Sequence, residues 1–235
     1  MLSAPGTTVI PCDLGNLRSL STEQCGCCDA FYHFGWAGIW ESAQRPARDD
    51  PALQGRNIGY TLDAVELAAR LGCGVFVGAG SHAECGRTDS TLTPLTPTDP
   101  ESNYGIAKLA ASRLSRIACR QRGIRHVWAR ILSTYGPGDH AQAMMMSCIR
   151  SLLRGEHMSF TKGEQRWDYL YILAARDVIN PAIEVGLGEL PYPSSQVMHL
   201  EADISALVRD TGFEPTVPFE EGVRLTANWL KENSR

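Results

Sequence analysis

Short apolar runs alternate with longer amphipathic segments along this chain, and that alternation predicts a parallel α/β fold. The runs at 7–14 (TTVIPCDL) and 29–36 (DAFYHFGW) read as strands. A helix is predicted over 54–71, where Leu62, Val65, Leu67 and Ala69 gather on one side and Gly72 supplies the stop. The apolar run at 73–80 (CGVFVGAG) predicts a further strand. A polar, proline-spaced loop fills 87–100, and Asp99 with Pro100 predicts the cap and first position of the next helix. That helix carries Ile106, Leu109, Ala110, Leu114 and Ile117 at helical spacing, and Gly123 closes it. Another strand is predicted over 125–136 (RHVWARILSTYG). Beyond it the composition shifts to a helix over 144–155, a loop leading into a strand over 159–172, and a last helix after Pro215 and Pro218.

Composition narrows the function classes. The 235 residues are 43% hydrophobic and 20% charged, enough for one large domain or a domain with a small lobe. A net charge of −4 excludes a cationic field for nucleic acid or an anionic membrane. No apolar run reaches the roughly 18–20 residues that cross a bilayer. The opening MLSAPGTTVIPCDL lacks the basic and apolar regions of a secretion signal. The eight cysteines have no framework spacing, so they read as reduced thiols and the chain as cytoplasmic. The cluster CGCC at 25–28 suggests zinc, but no second CxxC or HxxxH completes a site, so no metal is expected.

The stretch ESNYGIAK at 101–108 carries the most chemistry. Tyr104 and Lys108 are four positions apart and so share one helix face. An ammonium beside a phenol favours the phenolate, which predicts a lowered Tyr104 pKa and a general acid/base role. The same spacing also fits an ordinary buried helix turn. Ser81, just past the 73–80 strand, stands where ligands bind in open α/β sheets, or is simply a turn serine.

Four motifs in order, SHAECG, NYGIAK, ARILSTYGPGD and GEQRWDYLYI, make the chain resemble the extended short-chain dehydrogenase/reductases. More narrowly, it is similar to the NAD-dependent epimerase/dehydratases that act on nucleotide sugars. The resemblance implies an incomplete Rossmann-like parallel sheet flanked by helices, with dinucleotide binding over 1–140 and a reduced substrate lobe over 141–235. It implies NAD or NADP as cofactor, a nucleotide sugar as substrate, and a homodimer through the helices bearing Asn57 and Tyr104. Ser81, Tyr104 and Lys108 match the catalytic serine, tyrosine and lysine, and Asn57 an asparagine that organises the site. Asp13 and Leu14 match the pair at the adenine, and Phe34, Gly35 and Trp36 fall where the family lines the cofactor groove. Asp13 also reads as a strand-end turn residue, and Trp36 as core.

Departures from the family pattern sharpen these expectations. Sugar dehydratases follow the catalytic hydroxyl with Asp-Glu, whereas His82 and Ala83 follow Ser81, which favours a 4-epimerase or 4-ketoreductase. His82, Ser133 and Arg166 are the substrate candidates, with Ser133 replacing an asparagine and Trp167 replacing an arginine. Arg166 reads equally as a solvated loop residue. Leu173-Ala174 stand where an acid is expected, and the segment around Gly186 is compressed. No GxxGxxG turn occurs, so the chain is expected to start at the family's third strand, or to be a non-catalytic remnant serving as a binding or structural module.

Overall fold

The computed structural model describes residues 6–39, 47–168, 185–194 and 196–233. The chain divides into two compact units, one of Met1–Gly86 with Pro97–Ile131, the other of Arg87–Thr96 with Leu132–Arg235.

The first unit is built on a parallel sheet of β1 (Ala30–His33), β2 (Val75–Ser81) and β3 (Arg125–Ile131), in that spatial order. Ala30 lies opposite Val75, and Val75 opposite Arg125. A four-residue turn of helix, α1 (Thr22–Cys25), precedes β1. Helix α2 (Pro51–Arg70) crosses from β1 to β2, and α3 (Asn103–Gln121) from β2 to β3. Asp50 caps α2, its carboxylate accepting from the amides of Ala52 and Leu53, with Pro51 at the first position. The two helices lie on each other and on the Phe76 face of the sheet, enclosing Ala64, Val65, Leu67, Ala68, Phe76 and Cys119. On the opposite face Tyr32, Val127 and Ile131 remain exposed.

Four boundaries differ from the pattern-based expectation. The 7–14 run is no strand: Pro11 offers no N–H, no described strand pairs with the run, and Leu14–Ser19 coils into a 3-10 turn. The 29–36 strand stops at His33, because Ala37 turns away to bond the Asn57 side chain on α2. Asp99 and Pro100 stay outside α3. Ser102 caps it instead, its hydroxyl reaching the Gly105 amide. The 125–136 strand ends at Ile131, the partner of Ser81, where β2 itself ends.

The α3 stripe of Ile106, Leu114 and Ile117 is exposed, whereas the small residues Ala107, Ala111, Ser115 and Cys119 face the core.

In the second unit, β4 (Met158–Phe160) pairs with β6 (Val185–Leu187), and β5 (Arg166–Trp167) with β7 (His199–Leu200). Helix α4 (Met144–Arg154) ends at Gly155, whose φ of 75° suits glycine. Its Met145, Met146, Ile149 and Leu152 meet Val223, Ala227 and Leu230 of α6 (Phe219–Asn233); a short α5 (Ser205–Thr211) lies between. Leu173-Ala174 lie outside the described residues. Among the described residues no helix is long and apolar enough to cross a membrane.

Candidate active site

β2 delivers Ser81 at its carboxyl end, and the chain there turns into a 3-10 helix, His82–Glu84. Ser81 Oγ accepts from the Ala83 amide (3.2 Å), while Glu84 Oε1 accepts from the Ser81 amide (2.9 Å). This reciprocal capping box fixes the Ser81 side chain. The first turn of α3 can then come close only because residue 105 is glycine: a side chain there would strike the Ala83 carbonyl. The approach sets Tyr104 beside Ser81, whose side chain draws the phenol's pKa down.

One turn further on, Lys108 Nζ donates to the Ala79 carbonyl (2.8 Å) and lies 3.7 Å from the centre of the Trp36 ring. Trp36 also meets Tyr104 edge-on, with ring centres 6.0 Å apart, and donates through Nε1 to Gln54 Oε1 (2.9 Å). Asn57 accepts from the Ala37 amide and donates to the Ala37 carbonyl, both at 2.9 Å. It therefore holds the loop that carries Trp36. Tyr104, Lys108, Asn57 and Ser81 are all buried.

The electrostatics differ from the expectation of a phenol depressed by Lys108. Burial raises the Tyr104 pKa above the usual 10, the Ser81 side chain and the Arg48 charge draw it back, and Glu84 pushes it up. Burial also lowers Lys108 to about 8, opposed by Glu84. The burial that holds the phenol up thus also disfavours the Lys108 charge. The cation that draws the Tyr104 pKa down is Arg48, on the 3-10 turn Ala47–Asp49, with its guanidinium carbon 4.5 Å from the Tyr104 ring centre; Lys108 Nζ also lies 5.7 Å from that ring centre. Asn103 donates to the Asp49 carbonyl (2.9 Å) and ties that turn to α3.

Glu84, 1% exposed, also accepts from Trp128 Nε1 (2.9 Å) and pairs with Arg130 (3.5 Å). The pattern Ser81-x-x-Glu84 is a readable capping signal, whereas no local sequence signal marks Arg48. His82 is held below its usual pKa by burial and by Arg48, and its Nδ1 is buried without a hydrogen-bond partner among the described residues.

The remaining candidates lie elsewhere. Asp13 is exposed and lines an open cleft of about 400 Å³ with Pro11, Cys12, Asn16, Ser19, Leu20 and Gln24. Leu14 packs against Gly35 so closely that a side chain at 35 would collide with it. Phe34 is 62% exposed. Ser133 and Arg166 belong to the second unit. There Trp167 Nε1 donates to Ser133 Oγ (2.7 Å), and Arg166 pairs with Glu201 (3.4 Å) from an exposed position.

The family model for the NAD dependent epimerase/dehydratase family matches residues 4–184. The chain belongs to that family. It is 24% identical over 211 residues to a UDP-glucuronate 4-epimerase of Thermodesulfobacterium geofontis, a match covering 75% of this chain and 65% of that protein. The chain thus spans just under two thirds of that curated relative's length. The crystal structure of UDP-glucose 4-epimerase from Thermotoga maritima with UDP-glucose superposes with a TM-score of 0.77 at 18% identity, covering 95% of this chain and 83% of that one. The UDP-glucuronic acid 4-epimerase of Bacillus cereus in complex with NAD gives 0.71 at 19% identity, with 95% and 80% covered. The α/β fold is that of these Rossmann-like epimerase structures.

The donors at the carboxyl end of β2 suit the ribose end of a dinucleotide. Lys108 has three N–H groups and one described acceptor, Ala79, and the orphaned His82 Nδ1 offers a further polar contact. The indole of Trp36 covers the Lys108 ammonium. A pyrophosphate cradle is not among the described elements: α2 starts at Asp50-Pro51 and α3 at Ser102, neither after a glycine-rich turn.

Proposed function

We propose that this chain is an NAD(P)-dependent epimerase or ketoreductase that acts at C4 of a nucleotide sugar. One observation carries the reading: a buried serine at the end of a parallel strand acts on a buried tyrosine, with a buried lysine one helical turn away. The dinucleotide, when bound, supplies the hydride acceptor and donor. Tyr104 exchanges the proton of the sugar hydroxyl, and Ser81 Oγ orients that oxygen by bonding both it and Tyr104. A phenol held above its usual pKa rests in its acid form, so at neutral pH Tyr104 serves best when protonating the oxygen of a ketone undergoing reduction. Lys108 and His82 bind hydroxyl groups from the flank. Asn57 and Gln54 keep the Trp36 loop in position through its backbone and its indole.

We assign dinucleotide binding to residues 1–140, with Asp13, Leu14, Phe34, Gly35 and Trp36 along the groove, and substrate recognition to 141–235, with Ser133 and Arg166 as further contacts. The exposed stripe of Ile106, Leu114 and Ile117 on α3, 44–52% exposed, supports a homodimer through α2 and α3. Eight free thiols support a reducing, cytoplasmic setting.

The test is conversion of UDP-hexoses, and reduction of 4-keto sugar nucleotides, with NAD(H) or NADP(H) added. Turnover should fall by roughly 10²- to 10⁴-fold in Tyr104→Phe. Wild-type activity that survives this substitution unchanged would remove Tyr104 from the chemistry.

A further inference from the structure

The CGCC cluster takes no part in the site described above, and no group of three or more His, Cys, Asp or Glu side chains that could hold a metal ion occurs among the described residues. One of its members has a partner elsewhere in the chain. Cys28 lies two residues before Ala30 and Cys73 two residues before Val75, and Ala30 and Val75 are the first register pair of β1 and β2. Backbone bonds from Cys28 N to Leu71 O (3.1 Å) and from Gly74 N to Asp29 O (3.0 Å) bracket the two cysteines. Cys28 is the neighbouring thiol that acts on Cys73, and its own Sγ also reaches the Cys25 carbonyl (4.0 Å). Cys73 is 4% exposed, and the half-buried Cys28 packs against the same core cluster. The strands that the two cysteines lead into are paired, and such neighbours lie about 4.8 Å apart, inside the span of about 4.4–6.8 Å between Cα atoms that a disulfide bridges.

We propose that Cys28 and Cys73 form a reversible disulfide modification site, oxidised by a peroxide or a small-molecule disulfide. Cys28 is the more exposed of the two and reacts first. With hydrogen peroxide, its sulfur takes one oxygen to become a sulfenic acid, and water leaves. The Cys73 sulfur then attacks the Cys28 sulfur, the S–O bond breaks, and a second water carries away the hydroxyl and the Cys73 proton. Two thiols and one peroxide give one disulfide and two waters. With oxidised glutathione, a mixed disulfide on Cys28 is resolved by Cys73, and two glutathione thiols leave. Burial raises the Cys73 pKa, as does its neighbour Cys28, so Cys73 suits the slower resolving role. The bond would close the segment from 28 to 73, which contains the Trp36 loop and Asn57, and would fasten the edge strand β1 to β2.

The experiment oxidises the purified full chain with hydrogen peroxide or oxidised glutathione, blocks residual thiols, and maps the linked peptides with fragmentation. A Cys28–Cys73 link is expected, removed by dithiothreitol, lost in Cys28→Ser and in Cys73→Ser, and kept in Cys27→Ser. The oxidised chain should melt higher, by on the order of 5–10 °C. A link made through Cys25 or Cys27, no link in the folded chain, or a lower melting temperature on oxidation would each overturn the proposal.

Discussion

The two ends of the three-stranded sheet are built from opposite materials. At the amino end, Phe31 stacks on Phe76 with ring centres 5.8 Å apart, and Leu67, Leu71, Cys73 and Ile124 close an apolar core around them. At the carboxyl end, Ser81, Glu84, Tyr104 and Lys108 are just as buried but polar or charged. The first arrangement gains from removing apolar surface from water; the second holds groups out of water at a cost that only hydrogen bonds and neighbouring charges offset. The amino end therefore holds the fold, and the carboxyl end is where we place the chemistry.

Breaking the core end should produce the largest change in stability. Phe76→Ala leaves a cavity beside α2 and should destabilise the chain by about 3–5 kcal/mol in denaturant unfolding. The arrangement of Ser81 and Tyr104 should survive wherever the variant remains folded.

A smaller effect separates the ends by pH. His33 is buried, bonded through Nε2 to Thr61 Oγ1 (3.3 Å), and lowered to about 4, first by burial and then by the Lys108 charge. The unfolded chain binds a proton near pH 6.5 that the folded chain refuses until pH 4. Stability is therefore complete above about 6.5 and falls on acidification towards 4, by up to about 3 kcal/mol. Unfolding curves across that range should lose this slope in a folded His33→Gln variant.

Lys108 tests the cost of the site in the opposite sense. Its folded pKa of about 8 lies below the ordinary lysine value, so the wild-type chain gains stability as pH rises from about 8 to 10.5. Lys108→Met removes the buried charge, and unfolding at pH 7 should show a gain of about 1–2 kcal/mol, less than the full charge penalty because the Ala79 carbonyl loses its donor. Activity should be lost in the same variant.

The smallest expected effect concerns Arg48. Replacing it with glutamine takes away the charge that draws the Tyr104 phenol down, so the Tyr104 titration, followed by ultraviolet difference absorbance against Tyr104→Phe, should move to higher pH. An unmoved titration would show that the guanidinium does not act on the phenol.

The sequence pattern makes some of this readable and not the rest, for identifiable reasons. A spacing of four on a helix suffices to put Tyr104 and Lys108 on one face, because helix geometry is local. The direction of the Tyr104 shift is not readable, since it depends on burial and on Arg48 from a separate turn. The apolar spacing of Ile106, Leu114 and Ile117 marks the helix without saying that the stripe faces outwards; alanine, serine and cysteine fill the inner face, where α2 lies close. The 7–14 run has strand composition but no described strand beside it, and strands exist only in pairs.

The central claim is that the buried polar end of the sheet handles a nicotinamide dinucleotide. Calorimetric titration of the purified chain with NAD(H) and NADP(H) tests it most directly. Micromolar binding of one of them, weakened in Lys108→Met, is the predicted result. No binding up to millimolar concentration would contradict the account and leave the chain as a binding or structural member of its family.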